Sequence, residues 1–151
     1  MKRKDRVRAH TAREVNEEIE NETERRVLRA AGLSEPTISR QIVQLEEEWD
    51  IERYLETNAA ALAFTGTVLG LLVNKKFFAI PCIVLPLLFQ HAVQGWCPPV
   101  PFLRRAGVRT RKEIDTEKYA LKALRGDFNE IDKRDGESIE RARTAWRAAS
   151  A

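Results

Sequence analysis

The chain has few of the residues that build metal and redox sites. Its 151 residues include two cysteines and two histidines, whereas a structural zinc site uses four ligands, so we expect no metal site and no cofactor. On one continuous helix, Cys82 and Cys97 would lie about 22 Å apart, which is beyond the reach of a disulfide. We therefore expect both thiols to be reduced. Residues 1–29 lack a long apolar run, and we expect no signal peptide there.

Charge is unevenly distributed. The net charge of +3 is modest for this length and argues against a nucleic-acid-binding surface spread over the whole protein. No residue from 57 to 73 is charged, and between 77 and 103 only His91 could carry a charge. Charged residues fill the first and last thirds of the chain instead. This pattern predicts a membrane-embedded middle with polar flanks.

The uncharged middle contains two stretches long enough to cross a bilayer. Residues 57–74 would form about 27 Å of helix, close to the roughly 30 Å of a hydrocarbon core, and residues 77–96 form a second such stretch. Lys75 and Lys76 leave so short a turn that the two helices must be antiparallel. The sequence predicts an all-α fold with a transmembrane helical hairpin over 57–96. The alternative is the buried hairpin of a soluble bundle, but apolar side chains surround each helix, whereas such a hairpin needs a polar outer face.

In an antiparallel hairpin, the polar and aromatic side chains of the two spans gather at one end. Tyr54 and Trp96 lie near the same level and would anchor one membrane interface. Asn58 lies level with the polar residues of the second span, Gln90, His91 and Gln94. We predict a hydrogen bond from Asn58 to one of these three side chains.

The flanks are more basic than the turn, and their basic residues include Arg104 and Arg105. The positive-inside rule places both termini in the cytoplasm, and we expect the bacterial inner membrane. Arg104 and Arg105 return to the interface where the first span begins. There they could pair with nearby acidic side chains (Asp50, Glu52 and Glu56) or bind anionic lipid. We favour pairing, because the acidic side chains would otherwise repel the same lipid surface.

Gly66 and Gly70 form a GxxxG motif within the first span. Small residues one turn apart allow two helices to approach closely in lipid. The groove could receive the second span near Pro81, or a second copy of the chain, so a homo-oligomer stays open.

The flanks are predicted to be helical in part. Residues 1–33 form a basic and charged segment, which we expect to be disordered over 1–12. Residues 34–56 form an amphipathic helix with Ser34 as its N-cap, and this helix runs towards the first span without a break. Residues 97–128 form a proline-rich turn and then a helix that Thr110 opens. A polar tail with a short helix from Ser138 fills 129–151.

Two motifs follow the second span, Gly95-Trp96-Cys97-Pro98 and then Gly107-Val108-Arg109-Thr110. Together with Glu48-Trp49-Asp50 before the first span and Gly126-Asp127-Phe128 at the end, they resemble the YgaP-like transmembrane domain family of bacterial inner-membrane proteins. The resemblance covers 48–128 and implies a two-span hairpin, which in some members is fused to a rhodanese domain. No rhodanese domain fits here, and for stand-alone members the resemblance implies no particular reaction.

These observations favour a non-enzymatic interaction or scaffold module in the membrane, with the lipid bilayer as its partner and no identifiable small-molecule substrate. Two alternatives stay open. Cys97 could be a reactive thiol of a sulfur-handling accessory, if Arg104 and Arg105 lower its pKa. Residues 33–47 resemble the recognition helix of helix-turn-helix repressors, which would suit a membrane-tethered DNA-binding regulator, although three consecutive glutamates, 46–48, follow where phosphates would lie.

Overall fold

The computed structural model describes residues 5–129 and 142–146, and every regular element within them is helical. The predicted all-α class is thus confirmed for the described residues. The α-helices are α1 (Arg6–Ala9), α2 (Arg13–Ala30), α3 (Glu35–Glu47), α4 (Ile51–Leu72), α5 (Ala79–Gln94), α6 (Val100–Arg105) and α7 (Arg111–Arg125). A short 3₁₀ helix, Lys75–Phe78, stands between α4 and α5.

The chain divides into two compact units. Unit 1 comprises Met1–Glu20 and Trp49–Lys112, and unit 2 comprises Asn21–Glu48 and Glu113–Ala151. Unit 1 therefore holds α1, the first turns of α2, and α4 to α6. Unit 2 holds the rest of α2, α3, and nearly all of α7.

Unit 2 has the core expected of amphipathic helices. Ile38, Ile42 and Leu45 recur at helical spacing along α3 and are buried. They form one apolar cluster with residues of α2 and α7, Ala30, Ile114 and Leu121. Ser34 stands at the N-cap position of α3, as predicted, but its side chain makes no capping hydrogen bond. Pro36 lies in the first turn, where a missing N–H costs nothing.

The predicted continuous helix over 34–56 is wrong, because α3 ends at Glu47 and α4 begins at Ile51. Glu48 and Asp50 have extended backbone conformations. The Asp50 carboxylate accepts a hydrogen bond of 2.8 Å from the N–H of Arg53, and the N–H of Ile51 donates to the carbonyl of Arg109 at 3.0 Å. An aspartate cap and a distant carbonyl thus replace the intrahelical bonds that the periodicity predicted.

The expected disorder is also wrong for residues 5–12, while residues 1–4 lie outside the described residues. Asp5 caps α1, because its Oδ1 accepts from the N–H groups of Val7 and Arg8, both at 3.1 Å. Its Oδ2 accepts from the hydroxyl of Thr110 at 2.7 Å. Val7 is only 3% exposed and belongs to the core cluster of unit 1, with Ile51, Leu55, Cys97 and Val100.

The long helices of unit 1 differ slightly from the predicted spans. α4 starts before residue 57, and α5 is preceded by the 3₁₀ helix. α5 ends at Gly95, whose φ of 77° is the left-handed conformation that favours glycine. The predicted turn after it contains α6, because Pro99 and Pro101 stand at the start of this helix, where proline is tolerated.

At the end of the chain, the start of α7 at Arg111 follows Thr110, as predicted, and Gly126 with a φ of 91° follows its end. The helix expected from Ser138 lies mostly outside the described residues. Residues 142–146 are helical.

Candidate membrane interface

The surface of the helix pair α4 and α5 is largely apolar from residue 57 onwards. Large side chains that a soluble protein would bury are exposed here, and Phe64 and Phe89 are each 72% exposed. Others of the same kind are Leu62, Leu71, Leu72, Val73, Ile83, Leu85 and Val93. Scattered exposed leucines are ordinary, but a contiguous apolar surface marks a protein or membrane contact.

By length and composition, two helical stretches could cross a membrane: one within Glu35–Leu72 and the other Lys75–Gln94. Only 22% and 11% of their apolar windows are buried. The core helix of a soluble protein has the same composition but is mostly buried. In the described part of the chain, therefore, little protein covers these windows.

The two helices pack closely through the predicted glycines. A Cβ on Gly66 would lie 2.7 Å from Cβ of Ile80 and 2.8 Å from Cδ of Pro81, and a Cβ on Gly70 would lie 3.0 Å from the ring of Phe78. At Gly66 the neighbours are the Cβ of Ile80 and the ring of Pro81, which cannot move aside, so only glycine fits there; at Gly70 the ring of Phe78 would have to shift. The GxxxG face is thus occupied by the same chain and is not free for a second copy.

The polar side chains of the pair do not bond one another as predicted. Asn58 is exposed, and its amide donates to the carbonyl of Tyr54, one turn earlier in α4, at 2.7 Å. Gln94 is exposed and Gln90 half-buried. Matching levels along two antiparallel helices gives the height of a residue but not its hydrogen-bond partner: the Asn58 amide bonds within α4, although the residue lines the groove between α4, α5 and α6.

Aromatic side chains lie at the end of the pair opposite Lys75 and Lys76. The rings of Trp49 and Tyr54 are 5.2 Å apart between centroids, and the guanidinium of Arg53 lies 4.4 Å from the centroid of the Trp49 ring. Trp96, the other predicted anchor, is half-buried just after α5.

The two predicted basic anchors have different surroundings. Arg104 is 1% exposed, and its guanidinium donates to the carbonyl of Val108 at 3.0 Å and to Oδ1 of Asn16 at 2.9 Å. Arg105 is exposed. The interface role predicted for Arg104 is therefore wrong, because this side chain is buried and hydrogen-bonded inside unit 1. Arg105, in contrast, faces outwards.

The acidic residues at the start of α4 are also paired differently from the prediction. Asp50 forms an ion pair of 3.0 Å with Arg111, and not with Arg104 or Arg105. Glu56 is exposed, and Oε2 of Glu52 is buried with no hydrogen-bond partner among the residues that the structure describes. Burial, together with the nearby negative charges of Asp50 and Asp5, raises the pKa of Glu52.

Cys97 lies in the core cluster of unit 1 and is 4% exposed. Burial raises the pKa of this thiol, which is the opposite of the lowering that a reactive thiol needs. Cys82 is exposed on α5, and both cysteines are free, as expected. Cys97 also lines an apolar groove of about 610 Å³ between α4, α5 and α6, with walls that include Leu62, Leu87, Pro99 and Phe102.

The segment 33–47, which resembles a DNA-recognition helix, uses its apolar face for the core of unit 2. The hydroxyl of Ser39 accepts a hydrogen bond of 2.9 Å from Arg125. Glu46 and Glu47 are exposed, and Glu46 lies 3.8 Å from Lys118. Acidic groups on the exposed surface oppose the phosphate contacts that supply most of the affinity for DNA.

A polar cavity at the end of the helix pair was not predicted. It is lined by residues of α1, α4 and α5, among them Arg6, Glu52 and His91. The sequence did place His91 at this end of the helix pair. It did not indicate that residues within 1–12 would line the same cavity. The described residues bring together no group of three metal-ligating side chains.

Comparison with protein-family models, with curated proteins and with solved structures finds no match to this chain.

Proposed function

We propose that this protein is a two-span integral membrane protein of the YgaP-like type, which inserts the uncharged part of α4, from residue 57 onwards, and α5 as a hairpin into the bacterial inner membrane. The exposure of the apolar windows of both helices carries the proposal. Hydrocarbon is the environment in which an apolar helix surface needs no protein cover. The close approach at Gly66 and Gly70 supports it, because small residues are the usual means of packing helices in lipid.

Both termini lie in the cytoplasm in this proposal. Aromatic residues and Arg105 lie at the end of the pair where the flanking helices begin, and only two basic residues lie at the turn. That asymmetry follows the positive-inside rule. Exposed Arg105 is then available to anionic lipid, a contact worth about 1 kcal/mol.

The function we propose is non-enzymatic: the hairpin anchors the helical unit 2 at the membrane as an interaction module. The exposed surface of unit 2 is rich in charges of both signs. A polar depression of about 250 Å³ there has both arginine and glutamate in its walls, Arg26, Arg29, Glu48 and Glu117. Mixed charge of this kind suits a protein partner better than the uniformly positive surface that nucleic acid needs.

Membrane extraction and tag accessibility test the proposal together. The protein should stay in the pellet after alkaline carbonate treatment. A tag between Asn74 and Lys75 should be reached from the periplasm, whereas tags before Met1 and after Ala151 should be reached only from the cytoplasm. A tag between Gly32 and Leu33 is the internal control and should also be cytoplasmic. Release of the protein by carbonate would contradict the proposal.

A further inference from the structure

The polar cavity at the end of the helix pair has the size of a small ligand site. Its volume is about 310 Å³, at the lower end of the range for small-molecule pockets. Arg6 and Val7 of α1 form one wall, Glu52 and Glu56 of α4 a second, and His91 of α5 a third. All these residues belong to unit 1.

Two residues that line this cavity each hold a buried polar atom with no partner among the described residues. His91 is 6% exposed, and its Nδ1 has no hydrogen-bond partner. Oε2 of Glu52 is also buried and also has no hydrogen-bond partner among the described residues. Buried polar groups in folded proteins are almost always hydrogen-bonded, so these two atoms call for an occupant that bonds them.

Arg6 brings a positive charge to the cavity wall, and its hydrogen-bond donors are already engaged. The guanidinium of Arg6 donates to the backbone carbonyls of Ala92 and Val93 at the end of α5, where a cation stabilises the helix. Asp5 uses both carboxylate oxygens, as the cap of α1 and as the acceptor for Thr110. Glu52 and Glu56 have no ion pair within the described part of the chain, so the cavity keeps a surplus of negative charge.

The chemistry of these atoms selects the class of ligand. A primary ammonium group has three donors and no acceptor, and it matches a carboxylate oxygen, a neutral imidazole nitrogen and a second nearby carboxylate. No three side chains of the described residues lie close enough to ligate one metal ion. An ammonium group holds its acceptors at the longer distance of about 2.8 Å, so an organic cation fits better. Val7 and Leu88 in the walls suit the short carbon chain of such a cation.

We propose that this cavity binds a primary ammonium group, carried either by a small free amine or by the headgroup of an aminophospholipid. Its charge and its N–H donors meet Glu52, His91 and Glu56, and its carbon chain lies against Val7 and Leu88. The site does not depend on the proposed function, because its walls come from unit 1 whether or not α4 and α5 cross a bilayer.

Titration of the full chain in detergent micelles with ethanolamine tests the site. The readouts are calorimetry and the nitrogen NMR shifts of the His91 ring. We expect saturable binding and a shifted His91 signal, with ethylene glycol, the neutral analogue, giving neither. Glu52→Gln should weaken binding by about tenfold, the loss expected for one charge-assisted hydrogen bond. Glu47→Gln, at an exposed position in unit 2, should change it by less than about twofold.

A second pair of samples distinguishes the two sources of the ammonium group. In nanodiscs, phosphatidylethanolamine should shift the His91 signal as ethanolamine does, and phosphatidylcholine, which has no N–H donor, should not. A response to both ethanolamine and phosphatidylethanolamine assigns the headgroup, and a response to ethanolamine alone assigns a free amine; both support the site. No saturable response to ethanolamine by the parent protein would overturn the proposal, as would an equal response to ethylene glycol. If Glu52→Gln does not fold, as judged by circular dichroism, His91→Gln serves in its place.

Discussion

Unit 2 and the helix pair of unit 1 differ in where their large apolar residues lie: unit 2 has a core of them, and the helix pair exposes them. Along α3 the large apolar residues form a stripe, and Ile38, Ile42 and Leu45 turn that stripe inwards. Along α4 from residue 57 onwards the buried residues are small, Ala59, Gly66 and Gly70, while Phe64 and Leu71 are exposed. The first arrangement is the one that water imposes. In the second, close packing of small residues takes place inside and large apolar residues face the surroundings, which is the arrangement that lipid permits.

The largest effect on membrane integration should come from an arginine placed on the exposed surface of the helix pair. The same change on the exposed surface of unit 2 is its control. Phe64 in α4 and Val43 in α3 are both exposed apolar residues. Phe64→Arg should reduce the membrane-integrated fraction, at a cost of about 3 kcal/mol for an arginine near the bilayer centre. Val43→Arg should leave integration and stability within about 0.5 kcal/mol of the parent. Equal insertion of the two variants in a membrane-insertion assay would contradict the proposed difference between the two surfaces.

The second prediction concerns neighbouring arginines in unit 1. Arg104→Met removes hydrogen bonds to Val108 and Asn16 and leaves buried acceptors, so it should lower the free energy of unfolding by about 2–3 kcal/mol. Arg105→Met, at the exposed position, should change it by about 0.5 kcal/mol or less. Urea unfolding in micelles measures both variants. A similar loss in both would mean that Arg104 is not held as described.

A third and smaller effect should appear at the contact between α4 and α5. Gly66→Ala forces a methyl group against Ile80 and Pro81 and should destabilise the pair by about 2 kcal/mol. Ala61→Val is the matched control, since Ala61 is an exposed position of the same helix. Thermal unfolding in micelles gives both values, and an unchanged Gly66→Ala variant would show that the helices are not in close contact there.

The smallest effect is a pH dependence at Glu52. Burial raises the pKa of this residue in the folded protein, so the folded state binds the proton more tightly than the unfolded state does. The stability that this provides is complete below the unfolded pKa and is lost as the pH rises through the folded pKa. Glu52→Gln should therefore unfold like the parent in acid and be more stable by about 1 kcal/mol at neutral pH. An advantage that grows towards low pH would have the wrong sign.

Part of this architecture could be read from the sequence, because it depends on local signals. Ser34 and Thr110 mark the starts of α3 and α7, and the absence of charge marks the two long helices. The break at Asp50 was missed because it depends on the carbonyl of Arg109, far away in the sequence. The burial of Val7 was missed because a single apolar residue among basic ones does not form a periodic apolar pattern.

The end of the helix pair was harder to predict than the helices themselves. Levels along the hairpin bring His91 and Asn58 to one height, but they do not give the direction of either side chain. The burial of Arg104 follows from a contact with Asn16, which the local sequence of α6 does not reveal. The polar cavity combines residues from three separate segments, so it could be found only in three dimensions.

Spin-label accessibility at Phe64 and Val43 tests the central claim most directly. Each position would carry a single label, in a background with Cys82 and Cys97 replaced by alanine, and the protein would be placed in lipid nanodiscs. We predict that the label at position 64 is reached by oxygen, which dissolves in hydrocarbon, and shielded from a water-soluble nickel chelate, whereas the label at position 43 shows the reverse. Access of the nickel chelate to both positions would contradict membrane insertion of α4.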